Sequence, residues 1–109
     1  MIRVVVLEDS EGCVRGVELK GHAGYGEEGE DIVCAAVSAL VLNAANSVEA
    51  FTEDDFFGEA AEEGGDFSFH FTGSISPESQ LLMKSLVLGL QKIRDEYGEP
   101  YINIRLKEV

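Results

Sequence analysis

His22 and Cys34 are the residues of this sequence whose types and spacing allow covalent chemistry. A cysteine is a strong nucleophile when it is deprotonated, and a histidine within hydrogen-bond reach can act as its base. The segment around the histidine carries four glycines: Gly21, Gly24, Gly26 and Gly29. Glycine permits backbone angles closed to other residues, so such a flexible loop can fold tightly and bring the imidazole to the thiol. The pattern indicates either a working thiol and base or a buried cysteine near an incidental histidine.

Cys34 falls in the first turn of a helix that we predict from about residue 31 to about residue 51. Unpaired N–H groups and the helix dipole favour negative charge at this end, which stabilises a thiolate. The free N–H groups there, including that of Cys34, are also candidate donors to an oxyanion. Ser38 lies one helical turn later on the same face, so it is a candidate hydrogen-bonding residue of the site.

Asp31 has two possible roles at this helix start. As the N-cap, its side chain would accept hydrogen bonds from the first-turn N–H groups. Alternatively, its carboxylate would accept a hydrogen bond from His22 and fix the tautomer of the imidazole, as the third member of a catalytic triad does. The same negative charge would raise the pKa of a thiol close to it. The sequence leaves both roles open.

The other cysteine and the other histidine have less promising surroundings. Cys13 lies in a predicted strand with no histidine beside it, so we interpret it as a packing residue. His70 alternates with Phe69 and Phe71, which predicts a position on the polar face of a strand. Structural zinc sites use paired Cys and His ligands at short spacing, and this pattern is absent from the sequence. We therefore expect neither a metal nor an organic cofactor.

Composition limits the classes of protein to which the chain can belong. Its 109 residues, 45% of them hydrophobic, fit a single domain over residues 1–109. The net charge of −13 disfavours direct nucleic-acid binding and anionic membranes and is compatible with a basic peptide substrate. We expect no apolar run to be suited to a bilayer span. The first ten residues predict a strand where a signal peptide would need a cleavage site, so the expected compartment is the cytoplasm.

Hydrophobic periodicity predicts five strands and two helices. The strands are expected at residues 2–7, 13–20, 56–62, 67–72 and 101–106, and the second helix at 77–97. Ser76 is the predicted N-cap of that helix and Gly98 its C-terminal cap. The order strand, strand, helix, strand, strand, helix, strand predicts an α+β domain with a mainly antiparallel sheet and both helices packed on it. Because the first helix is apolar almost all round, we expect its own domain or a second subunit to cover it.

The motif around the two candidate residues resembles one known family. Gly21-His22-Ala23, a glycine-bearing loop and then DIVCAAVSAL from Asp31 to Leu40 are similar to the ribosomal-processing cysteine proteases, or Prp. The resemblance implies a homodimeric cysteine endopeptidase that removes a short N-terminal extension from a large-subunit ribosomal protein. It also implies that Cys34 is the nucleophile and His22 the general base, with Asp31 and Ser38 in supporting positions. The alternative is a non-enzymatic dimeric ribosome-assembly or binding protein with an inert buried cysteine.

Overall fold

The computed structural model describes residues 1–21, 31–61 and 66–109. The strands in these ranges are β1 (Ile2–Glu8), β2 (Val14–Lys20), β3 (Phe56–Ala60), β4 (Phe67–Phe71) and β5 (Ile102–Glu108), and the helices are α1 (Ile32–Phe51) and α2 (Pro77–Tyr97). This order confirms the predicted α+β class. The glycine turn predicted between β3 and β4 lies mostly outside the described residues, but Ala60 pairs with Phe67 as that hairpin requires.

One sheet contains all five of these strands, in the order β3-β4-β2-β1-β5. Its neighbouring strands are antiparallel except for β1 and β5, which run parallel. Parallel neighbours need a long connection, and here β5 reaches the edge beside β1 only after the rest of the chain has passed. The sheet is therefore mainly antiparallel, as predicted, with one parallel pair that the sequence pattern did not indicate.

The core lies between one face of the sheet and the two helices. Val4 pairs with Leu19 and Val6 with Val17, and all four side chains are buried. The helices cover them with two apolar stripes: Val33, Val37, Val41, Ala44 and Val48 on α1, and Met83, Leu86 and Leu90 on α2. Full burial of a valine side chain contributes about 1.5–3 kcal/mol, so the valine stripe is the main attachment of α1 to the sheet.

Helix α1 is covered on one side only by the described part of its own chain. Its valine stripe is buried, whereas Ile32 and Leu42 are 51% and 47% exposed on its outer side. By length and composition alone, α1 would also suffice to cross a membrane, contrary to the expectation from sequence. The buried stripe together with exposed Asn43 and Glu49 is the pattern of a helix at the edge of a core.

The end of α1 is tied to the start of α2 by polar side chains. Ser76 caps α2 as predicted, its Oγ accepting a hydrogen bond from the N–H of Ser79 at 3.2 Å. Asp54, just after α1, accepts hydrogen bonds from the Ser76 hydroxyl at 2.6 Å and the Ser76 N–H at 2.9 Å. The Ser76 hydroxyl and the neighbouring Ser79 lower the pKa of Asp54, because hydrogen bonds favour its charged form.

Candidate active site

The first turn of α1 is organised by Asp31. This residue has an extended backbone (φ −76°, ψ 91°), and its Oδ1 accepts a hydrogen bond from the Cys34 N–H at 3.0 Å. Its carbonyl oxygen accepts from Ala35 at 3.1 Å and so begins the helical ladder. Asp31 is therefore the N-cap, as predicted. Its other proposed role, orienting His22, stays a prediction because His22 lies outside the described residues.

Cys34 is the third residue of α1, and its sulfur is not part of a disulfide. Its side chain is half-buried and packs against the core, so the helix and the sheet hold it in place. The structure gives its N–H a partner, the Asp31 carboxylate. The expectation that this N–H is free to stabilise an oxyanion is therefore wrong for the described structure. What the position does supply is a fixed thiol at the positive end of a helix dipole.

Ser38 and Gly21 are two further predicted site residues that the structure describes. Ser38 is exposed on α1, one turn after Cys34, so it does not belong to the buried stripe. Gly21 follows β2 with a φ of +88°, in the left-handed region that favours glycine. The remaining predicted loop and base residues lie outside the described residues: His22, Gly24, Gly26 and Gly29.

Two contacts of Gly21 were missed by the sequence reasoning. Its N–H donates a hydrogen bond to Oδ1 of Asp66 at 3.2 Å, across 45 residues of chain. A Cβ at Gly21 would lie 2.6 Å from the carbonyl oxygen of Met1, so a side chain does not fit without backbone movement. Together these contacts fix the residue that directly precedes His22 in sequence. No local sequence pattern announces them, because they depend on how β1, β2 and β4 come together.

His70 lies on the polar face of its strand, as predicted, whereas Cys13 lies just before β2 and not inside it, and it is not among the residues packed against the core. Cys13 is a half-buried free thiol, and burial, followed by the negative charge of Asp9, raises its pKa. His70 lies on the sheet face opposite the helices, where its Nε2 is 3.5 Å from Oε2 of Glu18. The raised pKa keeps the Cys13 thiol mostly protonated at neutral pH, which disfavours it as a nucleophile. Among residues 1–21, 31–61 and 66–109, no cluster of His, Cys, Asp and Glu is arranged to hold a metal ion.

Comparison with known proteins agrees with this chemistry. Residues 1–103 match the family described as Cysteine protease Prp. A Staphylococcus aureus (strain Mu50) protein, Ribosomal processing cysteine protease Prp, is 36% identical over 106 residues, which cover 97% of each chain. The Bacillus subtilis (strain 168) protein of the same name is 33% identical over 103 residues, covering 91% of this chain and 92% of its own.

The fold also matches that of a solved member of this family. The crystal structure of an essential ribosomal processing protease Prp from S. aureus, in complex with a covalently linked product peptide, superposes with a TM-score of 0.92. The two chains are 33% identical, and the match covers 98% of this chain and all of the other. The family match covers nearly the whole length of the chain, and the relatives agree with it. The thiol at the start of α1 fits the chemistry of this family. This chain belongs to the Prp family of cysteine proteases.

Proposed function

We propose that this chain removes a short N-terminal extension from a large-subunit ribosomal protein during ribosome maturation, with Cys34 as nucleophile and His22 as general base. The observation that carries the proposal is the capped first turn of α1, which fixes the Cys34 thiol at a helix N-terminus. The relatives from S. aureus and B. subtilis are named as ribosomal processing proteases, and this chain matches each of them nearly end to end.

The proposed reaction follows the usual course of a cysteine peptidase. The thiolate of Cys34 attacks the carbonyl carbon of the scissile bond, while His22 holds the proton taken from the thiol. His22 then gives this proton to the leaving amine, and a thioester remains on Cys34. Water, deprotonated by His22, hydrolyses the thioester and restores the free thiol. Asp31 supports these steps by fixing the helix turn that carries the nucleophile.

The acidic character of the chain suits such a substrate. A net charge of −13 attracts basic polypeptides, and ribosomal proteins are commonly basic because they bind RNA. The same charge disfavours direct binding of the chain to nucleic acid or to an anionic membrane. We infer a cytoplasmic enzyme, since ribosomes mature in that compartment and neither described cysteine is part of a disulfide.

A homodimer is the second part of the proposal. On the outer side of α1, Ile32 and Leu42 are about half exposed, and Phe51 at the end of the helix is 76% exposed. Ala35 and Ala39 lie between Ile32 and Leu42 on the same side of the helix. Small residues there allow another helix to approach closely. A second copy packed against this side would bury the part of α1 that its own sheet leaves uncovered. Analytical ultracentrifugation of the wild type and of Leu42→Asp tests this, and a wild-type monomer would refute it.

The peptidase assignment is tested with a precursor of the candidate ribosomal protein that retains its N-terminal extension. Wild-type enzyme should make one site-specific cut, detected by intact-mass spectrometry. Cys34→Ala should lower the rate on the order of 10⁴-fold or more, because loss of the nucleophile removes the covalent route. Cys13→Ala is the matched control and should cleave at the wild-type rate.

Other outcomes of this experiment refute the assignment. Cleavage by Cys34→Ala at the wild-type rate would exclude Cys34 as the nucleophile. Binding of the precursor without any cut would favour the alternative of a non-enzymatic assembly or binding protein, which the similarity to proteases does not favour. Equal losses in the two cysteine variants would point to damage to the fold, which circular dichroism of both variants would reveal.

A further inference from the structure

Basic residues are concentrated on one part of the sheet surface. Five of the eight basic residues of the chain lie on β1, β2 and β5, and four of these share the sheet face that points away from the helices: Arg3, Lys20, Arg105 and Lys107. All four are exposed, and they alternate along their strands with side chains of the opposite face, the face that packs against the helices. We call them the basic patch. Arg3 stands directly opposite Lys20, an arrangement of like charges that weakens strand pairing.

The basic patch is unexpected in a chain with 21 acidic residues. In the described ranges, the ion pairs join His70 to Glu18 and Arg94 to Asp95, so no patch residue takes part in one. Acids elsewhere on the surface keep the chain soluble without this concentration of cations. On this face Glu18 lies near Lys20 but is 3.5 Å from His70, whereas no acid stands directly opposite Arg3, Arg105 or Lys107 in the described strand pairs. An acidic partner would therefore stabilise this surface.

The basic patch extends to an unpaired edge of the sheet. Strand β5 lies at the end of the strand order and, in the part of the chain that the structure describes, hydrogen-bonds only to β1. An edge strand presents N–H and C=O groups to which another extended segment can add. Its two rows of side chains differ: Arg105 and Lys107 point to the patch side, whereas Ile104 and Leu106 lie on the helix side. Leu106 is 68% exposed because the helices do not extend over it.

We propose that the outer edge of β5 binds an extended acidic segment of a partner protein, in which acidic and apolar residues alternate. Added as a sixth strand, the segment would pair its backbone with β5. Its carboxylates would then lie beside Arg105 and Lys107, and its apolar side chains beside Ile104 and Leu106. This surface is separate from Cys34, so the proposal does not rest on the peptidase assignment.

Charge also argues against a second copy of this chain at the same edge. If β5 paired with β5 of another copy about a two-fold axis, the two patch sides would form one continuous face. Arg105 and Lys107 of one copy would then stand beside the same cations of its partner, which is destabilising. The pattern thus disfavours edge-to-edge self-association while leaving the edge open to an acidic strand.

RNA fits the basic patch less well than an acidic polypeptide does. Sheet surfaces that bind single-stranded RNA stack bases on aromatic side chains of their strands. The patch side of β1 and β5 carries Arg3, Val5, Leu7, Asn103, Arg105 and Lys107, and none of them is aromatic. The net charge of −13 would in addition repel a polyanion at long range.

The test uses the full-length protein and a fluorescein-labelled peptide in which glutamate and valine alternate over eight residues between soluble tails. Fluorescence anisotropy at low salt should show binding, and ¹⁵N–¹H spectra should place the shifted amides on β5. Arg105→Glu with Lys107→Glu should weaken binding at least about tenfold, since two attractions become repulsions. Lys84→Glu with Lys92→Glu changes the net charge equally on the exposed side of α2 and should have less than about a twofold effect.

Three further probes complete the design. A lysine–valine peptide should not bind, and a version with proline at alternate positions should bind much more weakly because it cannot donate to the edge. A ten-nucleotide single-stranded RNA should not compete with the acidic peptide. Precursor cleavage by Arg105→Glu with Lys107→Glu should equal that of the wild type, which also verifies its fold.

The following results would overturn the proposal. Absence of peptide binding, or shifts away from β5, would exclude the edge as the docking surface. Equal losses of peptide affinity in the two double variants would show that net charge alone, and not the position of the cations on β5, causes the effect. Undiminished binding of the proline peptide would exclude strand addition, and RNA binding tighter than that of the peptide would identify a nucleic-acid surface instead.

Discussion

Both cysteines of this chain lie beside an aspartate that accepts a hydrogen bond from the cysteine N–H. Oδ1 of Asp31 is 3.0 Å from the N atom of Cys34, and Oδ1 of Asp9 is 3.0 Å from that of Cys13. The local contact is thus the same in the two regions. The two regions differ in secondary structure: Cys34 lies in the first turn of the 20-residue helix α1, whereas Cys13 leads directly into β2.

The difference in backbone changes the electrostatic surroundings of the thiols. A helix N-terminus contributes a favourable dipole to a thiolate, and a strand has only a small net dipole. Burial and the charge of Asp9 raise the pKa of Cys13, with Glu11 acting in the same direction. The aspartate contact therefore does not distinguish a candidate nucleophile from an ordinary cysteine in this chain. The secondary structure that begins there, helix α1 or strand β2, makes the distinction.

Each region also contains a glycine in the left-handed conformation. Gly12 has a φ of +79° and space around it, because nothing lies within 4 Å of a Cβ built there. Gly21, with a φ of +88°, is closely packed against the carbonyl oxygen of Met1 and is bonded to Asp66. The turn before Cys13 is thus self-contained, whereas the chain that leads toward His22 is fixed by distant strands. The following predictions test these contrasts, from the largest effect to the smallest.

The largest difference is expected between variants of the two histidines. His22→Ala should lower kcat on the precursor by about 10²–10⁴-fold, because proton transfer by a general base contributes that much. His70→Ala is the matched control and should leave kcat unchanged, since His70 pairs with Glu18 on the other face of the sheet. Equal losses in both variants, measured by precursor cleavage, would contradict the role of His22.

Alkylation should separate the two thiols directly. In single-thiol variants, the iodoacetamide rate of Cys34 should rise well below the ordinary thiol pKa of about 8.5, and that of Cys13 above it. At pH 7 the rates should differ by more than about tenfold, because the thiolate is the reacting form. His22→Ala should remove most of the advantage of Cys34. Coinciding rate profiles would show that the helix start and the base do not activate this thiol.

The two glycines should differ in their effect on stability. Gly12→Ala forces alanine into the left-handed region and should cost about 1 kcal/mol of unfolding free energy. Gly21→Ala adds a collision with the backbone of Met1 and should cost about 2–3 kcal/mol, with loss of peptidase activity as the residue before His22 moves. Urea unfolding measures both values. A Gly21 variant as stable as the Gly12 variant would show that the Met1 contact yields easily.

The smallest effect is expected from the cap itself. Asp31→Ala should destabilise the protein by about 1 kcal/mol, the usual cost of losing an N-cap side chain. Asp31→Asn should cost only a few tenths, because asparagine caps equally well. Asp9→Ala should leave the cleavage rate unchanged. If thermal unfolding showed equal losses for the alanine and asparagine variants at position 31, the carboxylate charge and not the cap would be the important property.

Local signals in the sequence were sufficient for several elements. Serine followed by proline predicted α2 from residue 77 to 97 with the observed caps, because capping depends only on the residues at a helix end. Asp31 was a candidate cap for the same reason, although the sequence left open whether it orients His22 instead. The predicted end of β3 was two residues late, since strand ends depend on where the neighbouring strand stops. Alternation in β4 was enough to place His70 on the open face of the sheet.

For the candidate site, too, some features follow from local sequence and others only from the tertiary structure. The sequence by itself determined which residues are candidates for the chemistry, because a cysteine in a helical first turn and a histidine beside a glycine are local patterns; the catalytic roles of Cys34 and His22 stay predictions. It also determined the α+β class, because periodicity follows secondary structure. Only the tertiary structure decided that β5 lies parallel to β1, that Asp66 holds Gly21, and that one side of α1 stays exposed. These features join residues far apart in the chain, and their positions follow from packing rather than from any local preference.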